Sequence, residues 1–185
     1  MSTDKDHLDR ELIRGCLDGD PRAQKTLYDK YSGKMYALCL RYCDNRDTAK
    51  DMLQEGFVRV FRSLVNFRHE GSFEGWMKRI MVNQCIEQYR REKSDPWFSD
   101  VQEAHHLGFD DHAFARLNMQ DLLRAVQSLP RGYRTVFNLY AIEGYAHKEI
   151  AAQLGISENT SKTQLLKARN MLRRIISAME GNSNG

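Results

Sequence analysis

Residues 147–176 read HKEIAAQLGISENTSKTQLLKARNMLRRII, and their pattern predicts two helices joined by a sharp turn. A narrow apolar edge runs along the first helix, where the small Ala151 lets a second helix cross at close range. Gly155 supplies the left-handed backbone conformation that ends a helix, and the Ser157 hydroxyl can cap the next one. The stretch is therefore the sequence form of a helix-turn-helix.

The second of these helices is basic and polar over most of its surface. An α-helix fits the major groove of DNA, where Asn and Gln pair with adenine edges and Lys contacts guanine edges or phosphate. An antiparallel helix pair with a solvated charged face is the alternative, and the local excess of basic residues favours DNA. The side chains expected to face the groove are Asn159, Thr160, Lys162, Thr163, Gln164 and Lys167.

Two residues weaken this helix-turn-helix pattern. Ala146 stands where a capping hydroxyl is expected, and its lack of a hydroxyl should cost about 1 kcal/mol relative to Ser. Ser161 stands at a packing position that a larger aliphatic side chain would fill. We therefore expect the motif to depend on the preceding helices for support.

Charge is distributed unevenly along the 185 residues, whose formal net charge is +3. An acidic segment, 94–121, carries a net charge of −5 and separates a basic segment, 1–93 (+3), from another, 131–185 (+4). This distribution indicates two modules and a tether.

The fold class expected from these patterns is all-α. Long stretches lack the alternating β-branched pattern of strands, and the three prolines stand where helices start or stop. The sequence therefore predicts two small helical domains, residues 8–93 and 117–178, joined by a flexible acidic linker at residues 94–116.

The clearest helical periodicity lies in RDTAKDMLQEGFVRVFRSL, residues 46–64, whose apolar side chains recur at i, i+3, i+4 and i+7. The opposite face groups acids, an amide and arginines. Such a face is usually a hydrated surface, and it is also suited to docking a basic partner. Its members are Asp51, Gln54, Glu55, Arg59 and Arg62.

Aromatic and cationic side chains alternate in FRHEGSFEGWMKRIMVNQCIEQYRREK, residues 67–93. Aromatic rings between cations suit unstacked single-stranded bases, at about 1–3 kcal/mol per stacked base. The alternative is that Phe73, Trp76 and Tyr89 are core residues, which is the favoured interpretation for Trp76. For residues 67–73 both interpretations stay open.

The sequence supports neither an enzyme nor a cofactor or metal centre. It shows no nucleophile–base pairing and no phosphate-binding glycine loop. The spacing of Cys39 and Cys43 lacks a second close pair, so buried thiols are the better interpretation. The cluster of His105, His106 and His112 is expected to be a polar loop. Because no secretory signal or membrane-length apolar run occurs, we expect a cytoplasmic protein without membrane insertion.

Two blocks resemble, in this order, the bacterial extracytoplasmic-function (ECF) sigma factors: DMLQEGFVRVFRSLVNFRHEGSFEGWMKRIMVNQCIEQYRREK and SLPRGYRTVFNLYAIEGYAHKEIAAQLGISENTSKTQLLKAR. The resemblance covers roughly residues 8–178. It implies sigma domain 2 at 8–93 and sigma domain 4, a winged-helix-like helix-turn-helix, at 117–178. It also implies RNA polymerase core enzyme, promoter DNA and an anti-sigma factor as partners, and no small-molecule substrate.

The resemblance also implies roles for particular residues. Core polymerase would bind Asp51, Gln54, Glu55 and also Arg59 and Arg62. The minus-ten element would be recognised and melted by Phe67, Arg68, His69, Glu70, Ser72 and Asn83. The minus-thirty-five element would be read by the six groove-facing residues of the second helix. That helix reads SKTQ where many relatives have an aliphatic residue first and an arginine last, so the promoter sequence cannot be transferred from relatives.

Two other function classes remain open on the sequence. A stand-alone helix-turn-helix regulator, acting as a dimer on a palindrome, would use the C-terminal motif but leave the aromatic loop without a role. A helical adaptor that binds only protein would show salt-insensitive binding and no affinity for nucleic acid.

Overall fold

The computed structural model describes residues 2–93 and 119–182, and their regular structure is helical, with no strand in either range. The chain forms two compact units, Met1–Leu40 with Asn45–Cys85, and Arg41–Asp44 with Ile86–Gly185. The predicted acidic linker, with its three histidines, lies outside the described residues. Among the helices that are described, none combines the length and apolarity needed to cross a membrane.

Residues 2–93 are built mainly from helices. They are α1 (Ser2–Leu17), α2 (Pro21–Tyr42), α3 (Arg46–Ser63) and α4 (Phe73–Lys93), with a short 3-10 turn at Leu64–Asn66 between α3 and α4.

Side-chain caps fix the first residues of α3 and α4. The Asn45 side chain accepts a hydrogen bond from the Thr48 amide at 2.8 Å, which fixes the start of α3. The Ser72 hydroxyl accepts from the Gly75 amide at 3.1 Å. This second cap fixes the start of α4 at Phe73.

The apolar stripe predicted on α3 is buried, which confirms the periodicity. Ala49, Phe57 and Val60 are almost fully excluded from solvent. Gly56 also lies on this buried stripe. At this position α4 passes so close to α3 that a Cβ would lie 2.1 Å from the Met81 sulfur. The four cysteines are free and buried, as expected for small hydrophobic side chains.

The C-terminal range contains short helices followed by one long helix. They are α5 (Met119–Gln127), α6 (Arg131–Phe137), α7 (His147–Leu154) and α8 (Glu158–Asn182), with a π-helical segment at Asn138–Ile142. The π-helical segment directly continues α6.

The helix-turn-helix forms as the sequence predicts. Gly155 has a φ of +62° and ends α7, a conformation that costs a glycine little. The Ser157 hydroxyl accepts a hydrogen bond from the Thr160 amide at 2.9 Å and caps α8. Ala125, Leu129 and Leu172 belong to one buried cluster, so α5 packs against α8. This packing fits the expectation that the motif depends on the helices before it.

Candidate functional site

The polar face of α3 is exposed along its length. Four of its five predicted members are exposed and Arg59 is half-buried. Val58 lies among them and is 48% exposed, although an apolar side chain gains by leaving water. The sequence interpretation missed Val58; its signal is its spacing of three residues from Glu55. We call this stripe the docking face, and it comprises Asp51, Gln54, Glu55, Val58 and Arg62.

The carboxylate of Glu55 is held in place although it is exposed. Gln84 of α4, which is buried, donates hydrogen bonds from Nε2 to the Glu55 carboxylate at 3.0 Å and to the Met52 carbonyl at 3.2 Å. A group fixed before binding loses less conformational entropy when a partner arrives. Gln84 therefore supports the docking face from behind.

The loop before α4 is organised around a cluster of four rings. The centroid of Phe67 lies 4.7 Å from that of His69, 5.1 Å from that of Phe73 and 5.3 Å from that of Trp76. Phe73 is buried, whereas Phe67 and Trp76 are half-buried. The core interpretation is thus correct for Phe73, while the other two rings keep surface available for a ligand.

The polar residues predicted for minus-ten recognition divide into three groups. Arg68, His69 and Glu70 are exposed in the loop. Ser72 is also exposed, but its hydroxyl caps α4. Asn83 is exposed on α4, ten residues beyond Phe73 and so about 15 Å along the helix axis. The structure brings Phe67 and His69 together and places Asn83 apart from this pair along the helix.

The first turns of α8 present most of the predicted reading residues. Asn159, Thr160, Lys162 and Thr163 are exposed, and Lys167 is half-buried. The Lys162 ammonium lies 2.8 Å from the Glu158 carboxylate, an i,i+4 pair that orients the cation on the surface.

Gln164 departs from the expectation that it faces outward, because it is only 8% exposed. Its position, three residues after Ser161 and four before Ala168, belongs to the buried stripe of α8. A Cβ on Gly132 of α6 would lie 3.3 Å from the Gln164 amide nitrogen, so the side chain packs against α6. The prediction that Gln164 projects from the helix is therefore wrong.

Ser161 is fully buried and makes a polar contact that the sequence interpretation missed. Its hydroxyl oxygen lies 2.9 Å from Nδ1 of His147, the first residue of α7. The His147 ring stacks on Tyr140 with centroids 4.5 Å apart. Ala146 offers no side-chain acceptor to the first turn of α7, but its own amide donates to the Glu149 carboxylate at 2.7 Å, which is the other of the two hydrogen bonds of a capping box.

The surroundings of His147 favour its neutral form. Burial lowers the pKa of the imidazole, and the nearby charges of Lys162 and Arg169 lower it further, while Glu158 acts in the opposite direction. A neutral ring can accept a hydrogen bond from Ser161 at Nδ1. Tyr140 and His147 had no individual signal in the sequence, because neither lies on an apolar stripe.

Both halves of the chain match known protein families. Residues 27–94 match the family described as sigma-70 region 2, and residues 119–172 match sigma-70 region 4. The chain is 30% identical to the RNA polymerase sigma-H factor of Pseudomonas aeruginosa, over 87% of this chain and 90% of that protein. It is 29% identical to the ECF RNA polymerase sigma factor SigW of Bacillus subtilis, over 89% of this chain and 95% of that protein.

A solved structure shares the fold. The sigma factor RpoE of Bartonella quintana, crystallised with the anti-sigma factor NepR, is 21% identical and superimposes with a TM-score of 0.51, covering 83% of this chain and 96% of RpoE. With α3 and α4 inside the region 2 match, and α7 and α8 as far as residue 172 inside the region 4 match, this chain belongs to the ECF RNA polymerase sigma factors.

Proposed function

We propose that this sigma factor binds core RNA polymerase through the docking face, captures the minus-ten element with the aromatic loop, and reads the minus-thirty-five element with α8. Residues 8–93 would carry the first two tasks and residues 117–178 the third. The chain would have no catalytic activity of its own, because the polymerase forms the phosphodiester bonds. It would act in the cytoplasm.

The observation that carries the proposal is the exposed Glu55 carboxylate held by buried Gln84, next to exposed Val58. An acid, an amide and an apolar side chain on one helical stripe suit a partner helix that offers cations and apolar surface. Complementary charge would set the orientation of docking, and Val58 would add apolar burial.

Binding of the minus-ten element and reading of the minus-thirty-five element are supported by different kinds of exposed side chains. Phe67 and Trp76 keep part of their rings accessible beside exposed Arg68, which suits stacked single-stranded bases near a phosphate. On α8, Asn159 and Lys162 offer the amide and the cation that read base edges in a major groove. The reading set we propose is Asn159, Thr160, Lys162, Thr163 and Lys167.

An anti-sigma factor is also proposed as a partner. The support is the solved relative RpoE, which was crystallised with the anti-sigma factor NepR. Such a partner would silence the protein by covering the surfaces that polymerase and promoter need.

The direct test adds the purified chain to sigma-free core polymerase and measures initiation on genomic DNA fragments. We expect a specific set of start sites that share two upstream elements. Glu55→Arg should abolish holoenzyme formation, and Asp29→Arg, a matched charge reversal on α2 outside the docking face, should not. Absence of holoenzyme at micromolar concentrations would end the proposal. A polymerase-independent dimer footprint on a palindrome would instead favour the stand-alone regulator.

A further inference from the structure

Four side chains of the second unit meet where α7 begins. The His147 ring stacks on Tyr140, its Nδ1 lies 2.9 Å from the Ser161 hydroxyl oxygen, and the Arg169 guanidinium lies 5.7 Å from the centroid of Tyr140. We call these four residues the α7 cluster. His147 is half-buried and lines an open depression, so solvent protons can reach its ring. The same depression is lined by Tyr145, Lys148, Glu149 and Glu158.

The charges that face His147 from α8 are mainly cationic. Lys162 and Arg169 oppose protonation of the ring, whereas Glu158 favours it. Glu158 is itself paired with Lys162 at 2.8 Å, which offsets much of its effect. Burial is the largest cause, and together with these cations it lowers the pKa of His147. The ring of the free protein is therefore neutral at pH 7.

The other elements packed around the ring bring charges of both signs. α7 itself contributes Lys148 and Glu149, and the Glu149 carboxylate already accepts a hydrogen bond from the Ala146 amide at 2.7 Å. The π-helical segment contributes the uncharged ring of Tyr140. An anion that arrives beside His147 would therefore be a strong new influence on whether the imidazole carries a proton.

Duplex DNA supplies such an anion. When a helix-turn-helix binds, its second helix enters the major groove and its first helix crosses the phosphate backbone. The duplex carries one negative charge for about every 1.7 Å of its axis. His147 opens α7 and contacts Ser161, which lies between the reading residues Thr160 and Lys162. The potential of the backbone therefore acts on the imidazole and favours its protonated form.

The Ser161 hydroxyl allows His147 to gain a proton while the contact between α7 and α8 is kept. A hydroxyl can both donate and accept a hydrogen bond. Neutral Nδ1 accepts from Ser161, whereas protonated Nδ1 donates to the same oxygen. The hydroxyl hydrogen can then turn to the Ser157 carbonyl, four residues earlier, as Ser commonly does inside a helix. The cluster can thus change its charge without rearranging.

We propose that binding of the minus-thirty-five duplex places a proton on His147, whose imidazolium then stabilises the adjacent DNA backbone. The proton comes from solvent and is added at Nδ1, and no covalent bond of the DNA or the protein breaks. Promoter affinity should therefore rise as pH falls from about 8 to about 6. This inference rests on the proposed function, since α8 must read the duplex. The competing outcome is a His147 that only joins α7 to α8.

The first test measures how much of the holoenzyme's affinity depends on the minus-thirty-five element. Affinity is compared between promoter DNA with this element intact and with it scrambled, at pH 6, 7 and 8 and constant salt. For wild type the ratio should rise with falling pH, by at most about tenfold per pH unit, the limit for one proton. His147→Asn should give a ratio that does not change with pH.

A matched control removes a histidine outside the α7 cluster. His69→Asn lies in the aromatic loop, where its positive φ of +58° is tolerated by Asn better than by most residues. This substitution can change the total affinity through the minus-ten element, but that change cancels in the ratio. The pH dependence of the ratio should therefore match wild type.

The second test counts protons directly in the wild-type holoenzyme. The heat of binding at pH 7 is measured in buffers with different ionisation enthalpies, for the intact and the scrambled element. Wild type should take up more protons with the intact element, and His147→Asn should lose this difference. His147→Arg, which is permanently charged, should bind tightly over the whole pH range without taking up a proton. A purely structural role would instead be lost in both variants.

The outcomes separate the two proposals. If the intact element raises affinity but wild type takes up no extra proton with it, the inference fails and the proposed function stands. An equal pH dependence in wild type and His147→Asn also overturns the inference. If scrambling the element changes nothing at any pH, α8 does not read it, and the proposed function fails at that point.

Discussion

Nδ1 of His147 and the hydroxyl oxygen of Ser161 lie 2.9 Å apart, joining the first turn of α7 to the buried side of α8. Ser161 is fully buried, and the His147 ring stacks on Tyr140. The contact therefore links the two helices through side chains as well as through the turn. A packing position that looked underfilled in the sequence is a polar link between the two helices of the motif.

Ser161→Ala should lower the free energy of unfolding by about 1 kcal/mol, because His147 loses its hydrogen-bond partner inside the motif. Urea denaturation followed by circular dichroism measures the change. Ser157→Ala offers a comparison at an exposed cap, where a similar loss is expected from a different cause. An unchanged midpoint for Ser161→Ala would show that the contact contributes nothing to stability.

The stability of the motif should depend on pH through His147. Since its folded pKa is lowered, the unfolded chain takes up a proton first as pH falls below the ordinary value of about 6.5. The contribution of His147 to the unfolding free energy is therefore fully present above that pH and declines below it, until the imidazole of the folded protein also protonates. The difference in unfolding free energy between wild type and His147→Asn should change between pH 7 and pH 5. A constant difference over this range would contradict the assignment.

Two glycines in helices should respond in opposite directions to Ala. Gly56→Ala places a methyl 2.1 Å from the sulfur of fully buried Met81, so overpacking should outweigh the gain in helix propensity and destabilise by about 1–2 kcal/mol. Gly33→Ala, in α2, meets no atom within 4 Å and should stabilise by about 0.5–1 kcal/mol. Thermal unfolding of both variants checks the pair, and stabilisation by Gly56→Ala would show that α3 and α4 are less closely packed.

Glu74 should support the start of α4 in a pH-dependent way. A hydrogen bond from Lys34, at 2.7 Å, and a second from Lys78 lower its pKa to about 2. That shift alone corresponds to about 3 kcal/mol, but both lysines are half exposed, so screening reduces the expected contribution to about 1 kcal/mol.

Because the folded pKa of Glu74 is depressed, its contribution is present above about pH 4.5 and is lost as pH falls toward 2. Glu74→Gln should therefore be less stable than wild type at pH 7, and the gap should close in acid. Asp29→Asn, which breaks the exposed pair with Lys25, should change stability by a few tenths of a kcal/mol at most. A gap between Glu74→Gln and wild type that persists at pH 2 would contradict the ion-pair explanation.

Two neighbouring residues of α8 should separate DNA binding from stability. Lys162→Ala, at an exposed position, should weaken promoter binding by the holoenzyme and reduce its salt slope by about 1. Gln164→Ala, at a buried position against α6, should act mainly on the unfolding midpoint. Fluorescence anisotropy on minus-thirty-five DNA and urea denaturation distinguish these effects. A Gln164→Ala variant that keeps its stability but loses sequence discrimination would show that Gln164 reaches the bases in the complex.

Much of the fold could be predicted from local patterns. The i, i+3, i+4, i+7 stripe of α3 and the caps at Asn45 and Ser157 depend on residues within one or two turns, so a single sequence contains the whole signal. The exposed polar face of α3 follows from the same periodicity, because the side opposite a buried stripe is left to solvent.

The candidate site was less predictable wherever a polar side chain lies on a buried stripe. Periodicity places Gln164 on the inner side of α8, but its polarity suggested solvent, and only the close approach of Gly132 decides the matter. The support of Glu55 by Gln84 joins helices 29 residues apart in sequence, and no local pattern encodes it.

The sequence by itself determined the helical class, the helix-turn-helix and the two blocks that carry the family likeness, because these depend on periodicity, capping and motif order. The tertiary structure decided which polar groups are satisfied inside the protein and which remain for a partner. That division depends on contacts between distant helices, where a buried amide or hydroxyl is retained only if the facing element supplies a hydrogen-bond partner.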